Sequence, residues 1–166
     1  LKGNRGTGRT KSTTPASRAH AGQGQSRAGA VRTKKESEPM SELHEMLIDQ
    51  LRDAHSAERQ AIQAMKRALR KAFDAQLKTG IEAHIEQSEQ QRERVEQALE
   101  LAGGKQGRKV CEAMRGLVEE AQHELEEHDK GPLLDLVIVA SQQRIEHYEI
   151  AAYGTMVEYC RAAGED

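Results

Sequence analysis

The stretch QRIEHYEIAAYGTM, residues 143–156, sets Glu149 on one helical face with Ile145, Ala152 and Met156. An ionised carboxylate in the middle of an apolar stripe needs a partner, a proton or a metal. Glu58, in AERQAIQAM, repeats the arrangement beside Ala54, Ala57, Ala61 and Met65 on an earlier helix. Helical bundles that hold paired metals supply inward Glu and His side chains from facing helices. The two acids therefore point either to a metal site or to satisfied structural acids. For Glu149 the structural partner would be Arg144 or a basic side chain of a packed neighbour. For Glu58 it would be a partly solvated helix edge near Arg59 and Gln60.

Other residues extend the candidate site. His84 falls between Ile81 and Ser88 on an apolar face, where an imidazole binds metal through one nitrogen and hydrogen-bonds through the other, or rests as an ordinary core residue. Glu146, three residues before Glu149, stands at the edge of the same face. Glu86 and Glu89 form Glu-x-x-Glu, close to the Glu-x-x-His of di-iron bundles, although Glu86 projects away from the apolar stripe and toward solvent. The candidate metal ligands are thus Glu58, His84, Glu149, Glu146 and Glu86, and iron or manganese is the metal expected. Glu120-x-x-His123 has similar spacing, but both side chains point outward, as does His147. Tyr148 and Tyr153 flank Glu149 and are expected to pack and to donate one hydrogen bond each. Cys111 and Cys160 fall in helical stretches and read as small hydrophobes.

Four helices must position these groups. Apolar spacing from Met40 onward predicts a first helix capped by Ser41, with Leu43, Leu47, Ala54, Ala57, Ala61 and Met65 as its inner stripe, ending near Phe73. A second helix is predicted over 74–101, carrying Leu77, Ile81, His84, Ser88, Val95 and Leu99 inward and stopped by Gly103-Gly104. A third, shorter helix over 108–128 would use Val110, Met114, Leu117, Val118, Ala121 and Leu125. Gly131-Pro132 separates it from a fourth over 133–162.

Composition agrees with an all-α domain. With 166 residues and 36% hydrophobic content the chain fits one domain plus a tail. Its aromatics are three Tyr and one Phe, without Trp, so Ala, Leu, Ile, Val and Met must fill the core. Two cysteines are too few for a disulfide framework or a Cys-rich zinc site. No apolar run approaches the roughly 20 residues of a membrane span, and no signal-peptide core is visible. A cytoplasmic protein without a membrane contact is expected.

The net charge of −2 conceals a division. Residues 1–39 carry nine Lys and Arg against Glu36 and Glu38, a net of +7, which leaves 16 basic and 25 acidic residues, a net of −9, for the remainder. Rich in Gly, Ser, Thr and Ala, the first segment buries too little apolar surface to offset the entropy of ordering. The organisation expected is a disordered basic arm over 1–40 and a helical domain over 41–163.

LRDAHSAERQAIQAM, EAHIEQSEQQRERVEQALELAG, CEAMRGLVEEA and above all IEHYEIAAYGT together resemble the YciE/YciF family of ferritin-like, rubrerythrin-like bacterial proteins, over about residues 42–166. The resemblance implies a ferritin-like antiparallel bundle, a two-metal site, cytoplasmic location, a homodimer and a link to stress responses, but no defined reaction. Members usually continue beyond the position of Asp166 into another long helix with further acids, so one wall of the bundle is expected to be open here. They also usually carry a second acid where this chain has Gln87. From a different class, a metal-free dimeric structural or interaction module fits the same bundle.

Spread Lys and Arg on the arm would neutralise phosphates without sequence preference. Alternatively the arm is a solubilising extension translated ahead of Met40, since Leu1 is not an initiator Met. If it anchors DNA, full-length protein is retained on a DNA column at low salt, elutes as salt rises, and loses retention on deletion of residues 1–39 with helicity unchanged. Equal behaviour of the two forms leaves the arm without that role.

Overall fold

The computed structural model describes residues 39–164, with side chains from Glu42 onward; the basic arm and the expectations attached to it lie outside the described residues. The chain divides into residues 1–35 and a unit over 36–166, to which all the described helices belong. This unit contains α1 (Pro39–Lys71), α2 (Ala75–Leu101), α3 (Glu112–Glu126) and α4 (Pro132–Ala163), with no strand among the described residues.

Helix α1 is the hub, packing against α2, α3 and α4. Its first half, with Leu47, Leu51 and Ala54, meets Val95, Leu99 and Ala102 at the end of α2 and Met156 near the end of α4. Its second half, with Ile62, Met65 and Ala68, meets Ile81 and Ile85 near the start of α2 and Leu134 and Ile138 near the start of α4. Both neighbours therefore run antiparallel to α1. Ala57 and Ala61 receive Cys111 and Met114 from the start of α3 and Ile145 from α4. Small alanines at 54, 57, 61, 64 and 68, all buried, let three helices approach α1 closely.

The helix ends differ in detail from the sequence expectations. Helix α1 begins at Pro39, so Ser41 lies inside it rather than capping it; proline suits the first turn, where its missing N–H has no intrahelical role. Asp74 caps α2 by accepting from Leu77 N at 2.8 Å. Asp135 of α4 accepts from the backbone N–H groups of Phe73 and Asp74, which ties the α1–α2 turn to the start of α4. Gly103, in the left-handed region at φ 68, and Gly104, whose added Cβ would meet Ile48 and Leu99 side chains at 3.1 and 3.2 Å, end α2 as their sequence position implied.

Helix α3 starts four residues later than expected, because Cys111 is its N-cap: the thiol accepts from Met114 N at 3.4 Å. Val110 consequently lies outside the helix and is exposed. Cys111 packs as a small buried residue among Ala57, Ala61, Met114 and Ile145, as read from the sequence, but stands at the helix cap rather than within a helix and makes polar contacts as well. Its backbone N–H donates to Ser56 Oγ at 3.0 Å, and its carbonyl accepts from Gln60 Nε2. Its sulfur lies 2.9 Å from the Tyr148 hydroxyl, which donates in turn to Asp53. One residue thus hooks the α3 entry onto both α1 and α4. Ser56→Ala leaves the buried Cys111 N–H unpaired and is expected to lower stability by about 1–3 kcal/mol in urea unfolding, with α-helical content retained.

Candidate functional site

Midway along the bundle the two large apolar clusters are separated by a polar layer. Glu58 sits one turn below Ala54 and one above Ile62 on α1 and is 1% exposed; Glu149 sits one turn beyond Ile145 on α4 and is 7% exposed. Ser88, the buried polar residue of α2, falls at the same level by register between Ile85 and Val95. The carboxylates cannot avoid the interior, because each occupies the innermost position of a helix whose next turns on either side are core.

Their hydrogen bonding is incomplete. The Tyr153 hydroxyl donates to Glu58 Oε1 at 2.5 Å. Glu58 Oε2, Glu149 Oε1 and Ser88 Oγ are buried without a hydrogen-bond partner among the described residues. Burial pushes the Glu149 carboxyl up to about 8, and the charges of Glu58 and Glu146 add to the rise. Glu58 is raised mainly by burial and also by Glu146, an effect partly offset by the Tyr153 hydrogen bond and by Arg94 and Arg92. Tyr153 is itself held un-ionised by burial and by its bond to Glu58.

Of the sequence-predicted residues, the structure brings Glu58, Glu146 and Glu149 close enough to act on one another electrically, and links His84 to them through Glu146. His84 Nε2 and Glu146 Oε1 are 2.6 Å apart, an ion-pair distance without hydrogen-bond alignment. Glu86 is exposed on the side of α2 turned away from Ile81, Ile85 and Ser88 and does not join them. Arg144 does not serve Glu149: it pairs with Glu124 at 3.0 Å and with Glu120, because its helical position faces α3. Glu58 is not on a solvated edge, and Gln60 turns to Ser56 and Cys111 instead. Glu120, His123 and His147 do not join the buried layer either. Sequence reasoning missed Ser56 and Asp53, whose roles come from the approach of α3, which no periodicity in α1 announces.

The donor set suits a hard divalent metal in type, carboxylate and imidazole from three helices. In arrangement it falls short: no three His, Cys, Asp or Glu side chains among the described residues are gathered as a metal-ligand group. What the geometry does supply is a buried pair of acids with a strong demand for positive charge, met by a proton or by a cation.

An antiparallel all-α bundle with inward carboxylates on α1 and α4 defines a ferritin-like helical protein. The comparisons with known proteins narrow that class. The family described as Domain of unknown function (DUF892) matches residues 42–166, and the chain belongs to it. YciF of Escherichia coli strain K12 is 35% identical over 126 residues, which are 75% of this chain and 76% of YciF. The crystal structure of that protein, named a stress protein, superposes with a TM-score of 0.70 over 74% of this chain and 78% of its own, at 35% identity. YcfI of Rhodopseudomonas palustris, suggested to be a structural protein, superposes with a TM-score of 0.72 at 33% identity over 80% of this chain and 83% of its own.

The raised carboxyl makes stability depend on pH in a definite direction. In the metal-free chain Glu149 holds its proton in the fold up to about 8 but loses it in the unfolded chain near 4.5. The native state therefore binds more protons between these values. This contribution is whole below about pH 4.5 and is lost as pH rises through 8, at a limiting slope of about 1.4 kcal/mol per pH unit. Urea unfolding at pH 5, 7 and 9 is expected to show the decline in the wild type and a flatter profile in Glu149→Gln. Parallel profiles would refute the assignment.

Proposed function

We propose that this protein binds iron or manganese between Glu58 and Glu149, with Glu146 and His84 as the nearest further donors, and serves a stress-related role in the cytoplasm as a homodimer. The observation that carries the proposal is the pair of partnerless carboxylate oxygens, Glu58 Oε2 and Glu149 Oε1, buried on facing helices, where the charge of Glu58 raises the proton affinity of Glu149. A cation placed between them removes both the missing contacts and the repulsion at once. Tyr153, bonded to Glu58, orients that carboxylate as an outer-shell partner does in metal sites. When bound, such a metal supplies Lewis-acid or redox chemistry. The stress role is carried over from the name of YciF.

The homodimer is supported by exposed apolar side chains on α4, Leu133, Leu136, Val139, Ile150 and Val157, since contiguous patches of this kind mark interfaces. No helix among the described residues is long and apolar enough to cross a membrane.

A second reading, a metal-free structural or interaction module, is favoured by the lack of a three-donor group among the described residues and by the structural role suggested for YcfI. In it Glu149 keeps a proton and the polar layer fixes helix register. Metal content and thermal unfolding separate the two. Under the metal proposal, protein purified without chelators contains iron or manganese. Added Mn2+ at about a hundredfold excess over its Kd stabilises the fold by about 2.7 kcal/mol, and both effects vanish in Glu58→Gln/Glu149→Gln. Metal-free protein with no Mn2+ response would leave the module reading.

A further inference from the structure

Helix α2 meets the acid pair with neutral oxygens. The 2.6 Å contact between His84 Nε2 and Glu146 Oε1 sets the register of α2 against α4. Both helices run antiparallel to α1, so counting forward from that contact brings Ser88 level with Glu149 and Gln91 level with Tyr153; Gln91 and Tyr153 line one opening. Ser88 is fully buried, and its Oγ and the buried Oε1 of Gln91 have no hydrogen-bond partner among the described residues, in common with Glu58 Oε2 and Glu149 Oε1. Carboxylate and amide oxygens only accept, and Ser88 alone brings a single proton to donate, so these oxygens do not satisfy one another by turning. The guanidinium groups that act on Glu58 from a distance, Arg94 and Arg92, make no ion pair with it, and Arg92 meets Glu96 at 3.7 Å instead.

Bundles that hold paired metals supply one Glu from each of two helices and a Glu-x-x-His pair from each of the other two. Glu58 and Glu149 take the first role. On α2 the residues at that spacing in the layer are Ser88 and Gln91, a hydroxyl in place of the acid and an amide in place of the imidazole. Glu86-x-x-Glu89 has the charge without the position, since Glu86 is exposed and Glu89 pairs with Lys66. His84, one turn before Ser88, has its Nε2 facing Glu146. The shortage of a third acid or imidazole at the layer is thus made up on α2 by neutral oxygens. Donor type decides which metal such a set suits: imidazole suits zinc and iron, whereas carboxylate and carbonyl oxygens suit manganese, magnesium and calcium. The lead that zinc holds over manganese at nitrogen-containing sites shrinks where every donor is an oxygen.

We propose that Ser88 and Gln91 are the α2 donors of the cation site and determine its specificity, making it an all-oxygen site for a hard cation of the manganese type. The inference rests on the Glu58–Glu149 reading and adds to it a third helix and a choice of metal. Binding of Mn2+ to the full chain is followed by loss of the EPR signal of free Mn2+, alone and with Zn2+ as competitor. The wild type is expected to bind Mn2+ and to release it only at comparable concentrations of Zn2+. Ser88→Ala/Gln91→Leu is expected to bind Mn2+ at least about tenfold more weakly, the scale reached even by outer-shell partners of a metal. Its metal-free form is expected to match or exceed the wild type in urea, because the Ser88 hydroxyl has no hydrogen bond to lose. Gln91→His, which returns an imidazole to the layer, is expected to shift the competition toward Zn2+. Unchanged Mn2+ binding in the double variant overturns the proposal and leaves the Glu58–Glu149 site standing. Weaker binding matched by an equal loss of metal-free stability also overturns it, as damage to packing, and so does release of Mn2+ from the wild type by Zn2+ far below the Mn2+ concentration. A wild type that binds no Mn2+ overturns the metal reading itself, and this inference with it.

Discussion

Two carboxylates in the interior of an aliphatic bundle are the constraint around which this structure is organised. Burying an acid without full hydrogen bonding is strongly unfavourable, and here buried oxygens of Glu58, Ser88 and Glu149, among others, lack partners among the described residues. The fold answers the demand in part. Tyr153 donates to Glu58, and the Glu149 carboxyl gives up its charge by holding a proton to about pH 8. Apolar clusters flank the pair on both sides. The pair is thus a place of stored electrostatic demand, the feature a cation-binding site requires.

Such a layer persists only if its surroundings cannot relax, and the contacts around α1 supply that restraint. His55 meets Glu96 of α2 at 2.8 Å, and Lys66 meets Glu89. Asp135 holds the α1–α2 turn, and Cys111 hooks α3 to Ser56 and to Tyr148. Lys109 pairs with Asp49 on the same side. Individually exposed pairs contribute little. The buried Cys111 contacts matter more, because an unpaired backbone N–H in the interior is costly. Together they fix α3 and α4 on α1 and leave the acids no easier position. The bundle persists in relatives at 33% and 35% identity.

The same arrangement leaves a trough at the end where the last turns of α2 and α4 flank Leu51. The polar layer and the trough beside it share Tyr153. A hydroxyl committed to Glu58 on one side presents its ring to the trough on the other.

Helix number, approximate ends and the inward position of Glu58 and Glu149 were legible in the sequence, because each depends on local spacing: an acid flanked by apolar residues one turn away on both sides has only one face to occupy. Glycine stops were legible for the same reason, since Gly103 serves a left-handed turn within its own segment. The partners of those acids were not. Arg144, on the same helix as Glu149, turned to α3, and Tyr153 reached Glu58 across 95 residues of chain. Cys111 became a cap and a hook only when α3 came to rest beside Ser56. Residue spacing along one helix says which side faces inward, whereas the identity of what it faces depends on how two helices are rotated and shifted against each other. That relation is set by the summed packing of many side chains, and only the tertiary structure decides it.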